Sequence, residues 1–252
     1  MEIVPKGELA FEWVNEAGAS PFVLVCEHAS NHVPPQLNRL GLSDADLQRH
    51  IAYDLGAAGV ARLLSLLLDA PLLLQRFSRL IYDCNRSPES TGAIPVMSEV
   101  FQIPGNVNLS ADEKSARILQ VCRPFHHALE RHLDGRAAAG KVTALVSIHS
   151  FTRLYNGKRR AVDLGLLFDR EATLAHALVK VFPDVNTQLN EPYAPKDGVM
   201  HLMNLHGAVR GLQHLMVEIC NDLIETERNQ QQWAQRLSVP LIQAAAKLGE
   251  KK

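Results

Sequence analysis

Apolar strand-length runs alternating with amphipathic helical segments predict an α/β fold, with a mostly parallel or mixed sheet covered on both faces. The runs are short, uncharged and bounded by turn residues, as buried strands are. The segments between them carry apolar residues at helical spacing. No Pro/Gly/Ser-rich linker, low-complexity stretch or internal repeat divides the chain, so residues 1–252 are expected to form one domain.

Taken in order, Phe22–Cys26 reads as the first strand. Leu55–Leu68 is Ala/Leu-rich and stops ahead of Pro71, which suits a helix. Leu72–Leu74 and Leu80–Tyr82 read as further strands. Ser110 and Glu113 have capping-box spacing and open a helix with Ile118, Cys122, Phe125, Leu129 and Leu133 on one face. Thr143–Ile148, Leu164–Phe168 and His214–Ile219 complete the strands. Arg170–Phe182 and Glu225–Leu248 complete the helices, the last with a bend expected near Pro240.

Composition narrows the function classes. Apolar residues make up 46%, charged residues 21%, and the net charge is −1, an ordinary balance for a globular enzyme acting on a small molecule. The longest basic cluster, Lys158-Arg159-Arg160, is too short to argue for nucleic acid or a membrane surface. Leu63–Leu68 and Val142–Ile148 are too short to span a bilayer, and the charged opening stretch is unlike a signal peptide. The four cysteines lack CxxC spacing, which argues against a zinc–thiolate site or a disulfide framework and makes the cytoplasm the default compartment. Oligomeric state is left open.

In open α/β sheets, ligands bind outside the carboxyl ends of the strands. Chemically capable residues recur there. The first strand runs into Glu27-His28-Ala29-Ser30-Asn31-His32, and Thr143–Ile148 delivers His149 and Ser150. Glu218 lies amid apolar neighbours in the last strand, where desolvation raises a carboxyl pKa unless it is paired. That suits a general base, and a structural ion pair is the competing reading. Arg79 precedes Leu80–Tyr82, and Asp83, Asn85 and Arg86 follow it. Asn85 and Arg86 can hold a carboxylate, or Arg86 can pair with Asp83. Asp54 either caps the helix that follows or serves as a ligand. The turn-rich stretch from Asn190 to Arg210 is expected to cover the site, with Tyr193 as its contact and His201 and His206 as packing.

Four motifs, Val25 to Pro34, Asp83-Cys84-Asn85-Arg86, Ser147 to Phe151, and Val217 to Asn221, together resemble the N-formylglutamate amidohydrolase family. That family is similar in turn to zinc carboxypeptidases and to the aspartoacylase and succinylglutamate desuccinylase enzymes. The resemblance spans about Phe22 to Leu223 and implies a three-layer α/β/α fold with a mixed central sheet. In the wider group the first motif is His-x-x-Glu, and here Asn31 stands at the glutamate position. The resemblance therefore implies His28 and His149 as ligands of zinc or another divalent transition metal, with Asp54 supplying the carboxylate and Glu27 as the substitute for it. It assigns Glu218 as the catalytic carboxylate; once these roles are granted, Arg79 is the nearby donor expected to steady the oxyanion. Asn85, Arg86, Ser150 and Tyr193 become substrate contacts. The implied activity is hydrolysis of an N-acyl, notably N-formyl, acidic amino acid in amino-acid metabolism. Another acylated amino acid or small peptide, or a non-catalytic ligand-binding member of the fold, are the alternatives. A serine hydrolase built on Ser30 or Ser150 is disfavoured by the absence of a Gly-x-Ser-x-Gly elbow.

Overall fold

The computed structural model describes residues 2–170, 172–246 and 248. Glu171 and Lys247, inside two of the expected helices, lie outside the described residues. Seven strands build one sheet: β1 (Phe11–Val14), β2 (Phe22–Cys26), β3 (Leu72–Gln75), β4 (Ala144–Phe151), β5 (Leu164–Leu167), β6 (Thr187–Leu189) and β7 (Gln213–Cys220). Their order is β1-β3-β2-β4-β7-β5-β6. The central strands β3, β2, β4 and β7 run parallel, while β1 and the β5–β6 pair join antiparallel at the two sides.

Period-two alternation sends successive side chains to opposite faces. Val23, Val25, Leu145 and Met216 share one apolar layer with Phe125, Leu129 and Leu133 of a helix, here α3 (Arg123–Ala138). Leu24, Cys26, Val146, Ile148, Val217 and Ile219 pack on the other side. That side is covered by α1 (Ala57–Leu68), α4 (Thr173–Val179) and α5 (Glu227–Ala245). The fold is therefore mixed α/β in three layers, as expected. Near-continuous apolar strands with a helix layer on each face are what parallel pairing requires.

Several local expectations hold. Ser110 and Glu113 form a reciprocal capping box at the start of α2 (Ala111–Arg117). The helix then widens into a π turn over Ile118–Cys122 before α3, next to Pro124, whose missing N–H cannot close an ordinary turn. The last helix, α5, forms within the expected segment, with Pro240 inside it.

Others do not. Leu80–Tyr82 is a buried turn, not a strand. Its carbonyls find partners outside any ladder: Asn106 Nδ2 donates to Leu80 O, and the 1% exposed Arg117 donates to Ile81 O. An apolar run can be buried without strand pairing when other side chains satisfy its backbone. Strand β1 was not expected from the sequence, because Phe11–Val14 is short and contains Glu12, which pairs with Arg62 on α1.

The β5–β7 pairing sets Gly165 opposite Glu218. A Cβ at Gly165 would fall 2.1 Å from the carbonyl oxygen of Glu191. Glycine at this position lets the segment that leads to Tyr193 lie against the sheet. Gly165→Ala is expected to destabilise the protein by about 1–3 kcal/mol, seen as a Tm lower by roughly 2–10 °C. An unchanged Tm would show that the segment yields freely.

Candidate active site

Three adjacent parallel strands end at one place. Glu27 and His28 follow directly on β2, His149 and Ser150 close β4, and Glu218 on β7 lies in register with His149. Alternation puts Ser147 and His149 on the same face as Leu145, and Glu218 on the same face as Met216. Toward the strand ends that face changes from apolar packing to a polar wall.

Asp54 enters from the segment before α1, with its backbone N–H bonded to the His28 carbonyl at 3.0 Å. Helix α1 starts instead on Gly56, at φ 78°, with no side-chain cap. The capping role considered for Asp54 is therefore not taken, and its carboxylate faces the two imidazoles. Asp54 Oδ2 lies 3.2 Å from His28 Nδ1 and 2.7 Å from His149 Nδ1. The rings meet edge to face with centroids 4.9 Å apart. On their far edges, His28 Nε2 lies 2.8 Å from Asp83 Oδ1 and His149 Nε2 lies 3.1 Å from Glu27 Oε2.

One ligand atom from each of His28, Asp54 and His149 falls within 4.8 Å of the others, and all three residues are buried, so this cluster could hold a metal ion. Two imidazoles and a carboxylate with room for a further ligand suit zinc or a similar divalent ion. Asn31 is not part of the cluster. Its Nδ2 donates to Leu47 O at 2.9 Å, and the carboxylate of the cluster is that of Asp54.

The surrounding charges are sorted by their neighbours. Burial pushes the Asp54 carboxyl up, but His28 and His149 hold it below the usual range. Burial acts the same way on Asp83, where the Arg79 guanidinium and His28 prevail and hold it well below. Glu218 differs. It is 5% exposed, its Oε2 has no hydrogen-bond partner, and burial with the Asp54 charge pushes it up to about 7 against the pull of His149. The competing structural ion pair is not formed: among the described residues no cationic nitrogen lies within ion-pair distance of Glu218, and the neighbouring His149 pairs with Glu27 and Asp54 instead.

Glu218, His28, Asp54, His149, Arg86 and Tyr193 all line a cavity of about 350 Å³. Arg79 is held by Asp54 at 3.3 Å and Asp83 at 2.6 Å. Asp83 pairs with Arg79 and His28, and the Arg86 guanidinium donates to the carbonyls of Asn85 and Gly198. The Asn85 amide is closed on backbone, donating to Val199 O and accepting from Leu202 N. It therefore braces the segment beneath Arg86. The Ser150 hydroxyl donates to Leu55 O, and the Tyr193 hydroxyl accepts from Arg160. The expected cover does carry Tyr193 into the cavity, although part of it is helical, at Pro195–Asp197 and Met203–Gly207. His206 is buried against His126 at 2.9 Å, as packing.

Sequence reasoning missed Asp83 as the partner of His28, Ser147 as the donor to Glu27, and the His50–Glu99 pair at the cavity rim. Period two along β4 was the available signal for Ser147, two residues before His149.

Comparison with known proteins gives a consistent result. The profile of the family described as N-formylglutamate amidohydrolase matches residues 20–225. The solved structure of gene product Atu2144 from Agrobacterium tumefaciens is 41% identical, with a TM-score of 0.95, and the match covers 99% of this chain and 100% of that one. The N-formylglutamate amidohydrolase from Ralstonia eutropha JMP134 is 18% identical with a TM-score of 0.61, covering 96% of this chain and 98% of that one, a likeness of fold. No curated protein matches the chain.

If the cluster is a metal centre, protein prepared without chelator will carry about one divalent ion per chain, and His28→Ala or His149→Ala will lose it. A chain that stays metal-free after zinc addition would remove the metal from the site.

Proposed function

Since the chain belongs to the N-formylglutamate amidohydrolase family, and so to a family of hydrolases, we propose that it is a zinc-dependent amidohydrolase cleaving the amide of an N-acyl acidic amino acid such as N-formylglutamate. The observation that supports this most is Glu218, a buried carboxyl with one unpartnered oxygen, set beside the His28–Asp54–His149 cluster in a shared cavity.

His28, Asp54 and His149 would hold the zinc, or another divalent transition metal, which when bound polarises an acyl oxygen and acidifies water. The protein's own groups do the rest. Glu218 takes a proton from the attacking water and passes it to the amide nitrogen as the C–N bond breaks, so that water and the N-acyl amino acid become a carboxylic acid and a free amine. Its pKa near neutrality fits a group that must both accept and release that proton. Arg86, free of any carboxylate within ion-pair distance among the described residues, binds the substrate carboxylate, and Asn85 keeps it in place through the Val199–Leu202 backbone. Arg79 orients Asp54 and Asp83 and lends positive charge near the developing oxyanion. Ser150 donates its backbone N–H to Asp54 and borders the bound substrate, with Tyr193 closing the other side.

Residues 1–252 act as one domain in this reading. Among the described residues no helix is long and apolar enough to cross a membrane. The cytoplasm, where four buried free thiols stay reduced, is the proposed compartment.

Glu218→Gln is expected to lower kcat by about 10²–10⁴-fold while metal content stays unchanged, and an active variant would remove Glu218 as the base. Arg86→Ala should lower kcat/KM for N-formylglutamate by roughly 10–100-fold. A screen of N-formyl, N-acetyl and N-succinyl amino acids with and without zinc tests the whole reading, which fails if none is hydrolysed.

A further inference from the structure

We infer that Glu27 is a positioning residue, not a metal ligand, and that it turns His149 so that Nδ1 is the nitrogen offered to the cation. The inference rests on the metal reading above and deepens it. An imidazole ligates through one nitrogen, and the other must then carry a proton and find an acceptor. His149 Nδ1 points to Asp54 Oδ2 at 2.7 Å, inside the cluster. Nε2, on the opposite edge of the ring, is buried, and no group among the described residues makes a well-aligned hydrogen bond to it. Glu27 Oε2, 3.1 Å away, is the carboxylate that reaches it.

Glu27 is fully buried, and its Oε2 is held by the Ser147 hydroxyl at 2.9 Å. Ser147 and His149 are two residues apart on β4 and so share a face, which fixes the Glu27 carboxylate against the His149 edge through one rigid strand. Glu27 is outside the set of atoms that could jointly hold an ion, although it adjoins His28 in sequence. A carboxylate on the Nε2 side of His149 cannot share a cation with the Nδ1 side of the same ring. Its position defines the tautomer and direction of a ligand.

Zinc affinity, measured by competition against a chelator, separates positioning from ligation. Glu27→Gln keeps an acceptor oxygen for Nε2–H and should bind zinc within about tenfold of the parent chain. Glu27→Met removes the acceptor and should weaken binding by about 10–100-fold. In the zinc-loaded parent chain, histidine ¹⁵N shifts should show His149 bonded through Nδ1 with a proton on Nε2. If Glu27→Gln loses zinc as completely as His149→Ala, Glu27 is a ligand and the inference falls. If Glu27→Met binds zinc as tightly as the parent, or the shifts show ligation through Nε2, it falls as well. A parent chain that takes up no zinc overturns the metal reading together with it, whereas the other outcomes leave that reading intact.

Discussion

The carboxylate of Asp54 is the constraint on which the site depends. One of its oxygens faces two imidazoles and the other faces a guanidinium, and the carboxylate and both imidazoles are buried. A buried carboxylate is tolerated only when opposite charge and hydrogen-bond donors surround it. Asp54 therefore forces His28, His149 and Arg79 to converge, and each brings its own requirement. Arg79 needs a second anion, which Asp83 provides, and Asp83 in turn takes the far edge of His28. The cluster closes on itself, each member paired with at least one other.

Strand order makes this convergence possible. β2, β4 and β7 are neighbours and parallel, so their carboxyl ends lie side by side although β2 ends at Cys26, β4 at Phe151 and β7 at Cys220. Parallel register then matches His149 to Glu218 across one ladder, and the antiparallel β5 backs Glu218 with a glycine. Helix α1 closes the arrangement from the opposite face. Its start on Gly56, whose own added Cβ would strike Ile224 at 2.3 Å from the carbonyl oxygen, leaves Asp54 free to turn inward. Packing of that turn and orientation of the ligand are one event.

How much of this was readable beforehand depends on the range of the interaction. His28 and His149 come at the ends of strongly apolar runs and Glu218 lies within one, and alternation along a strand is a local property, so their direction could be inferred. The burial of Leu80–Tyr82 was also legible, but its conformation was not. The carbonyl partners that allow a turn there come from Asn106 and Arg117, and nothing in the run itself announces them. Asn85 shows the same limit. Its position beside Arg86 suggested a substrate contact, yet its amide is bonded to Val199 and Leu202, more than a hundred residues later. Asn31 seemed to leave the ligand set short of a carboxylate. Asp54 answers that from a separate segment, through a backbone bond to His28 that sequence spacing does not encode.

Four carboxyl groups crowd this end of the sheet, and their surroundings divide the work among them. Asp54, Asp83 and Glu27 each face at least one imidazole, and Asp83 and Asp54 share Arg79. All three stay on the ionised side of their ordinary range in spite of burial. Glu218 is also buried but among the described residues has no cation within ion-pair distance, and it moves the other way. A carboxylate that is already compensated is a good ligand or brace and a poor base, because protonating it breaks the pairs that hold it. One that is not compensated gives up little by taking a proton, and Glu218 lies on the wall of the cavity. Separate environments pushing like groups apart is how a site assigns acid–base roles. Here the difference comes from which carboxyl the two histidines and Arg79 do not pair with among the described residues.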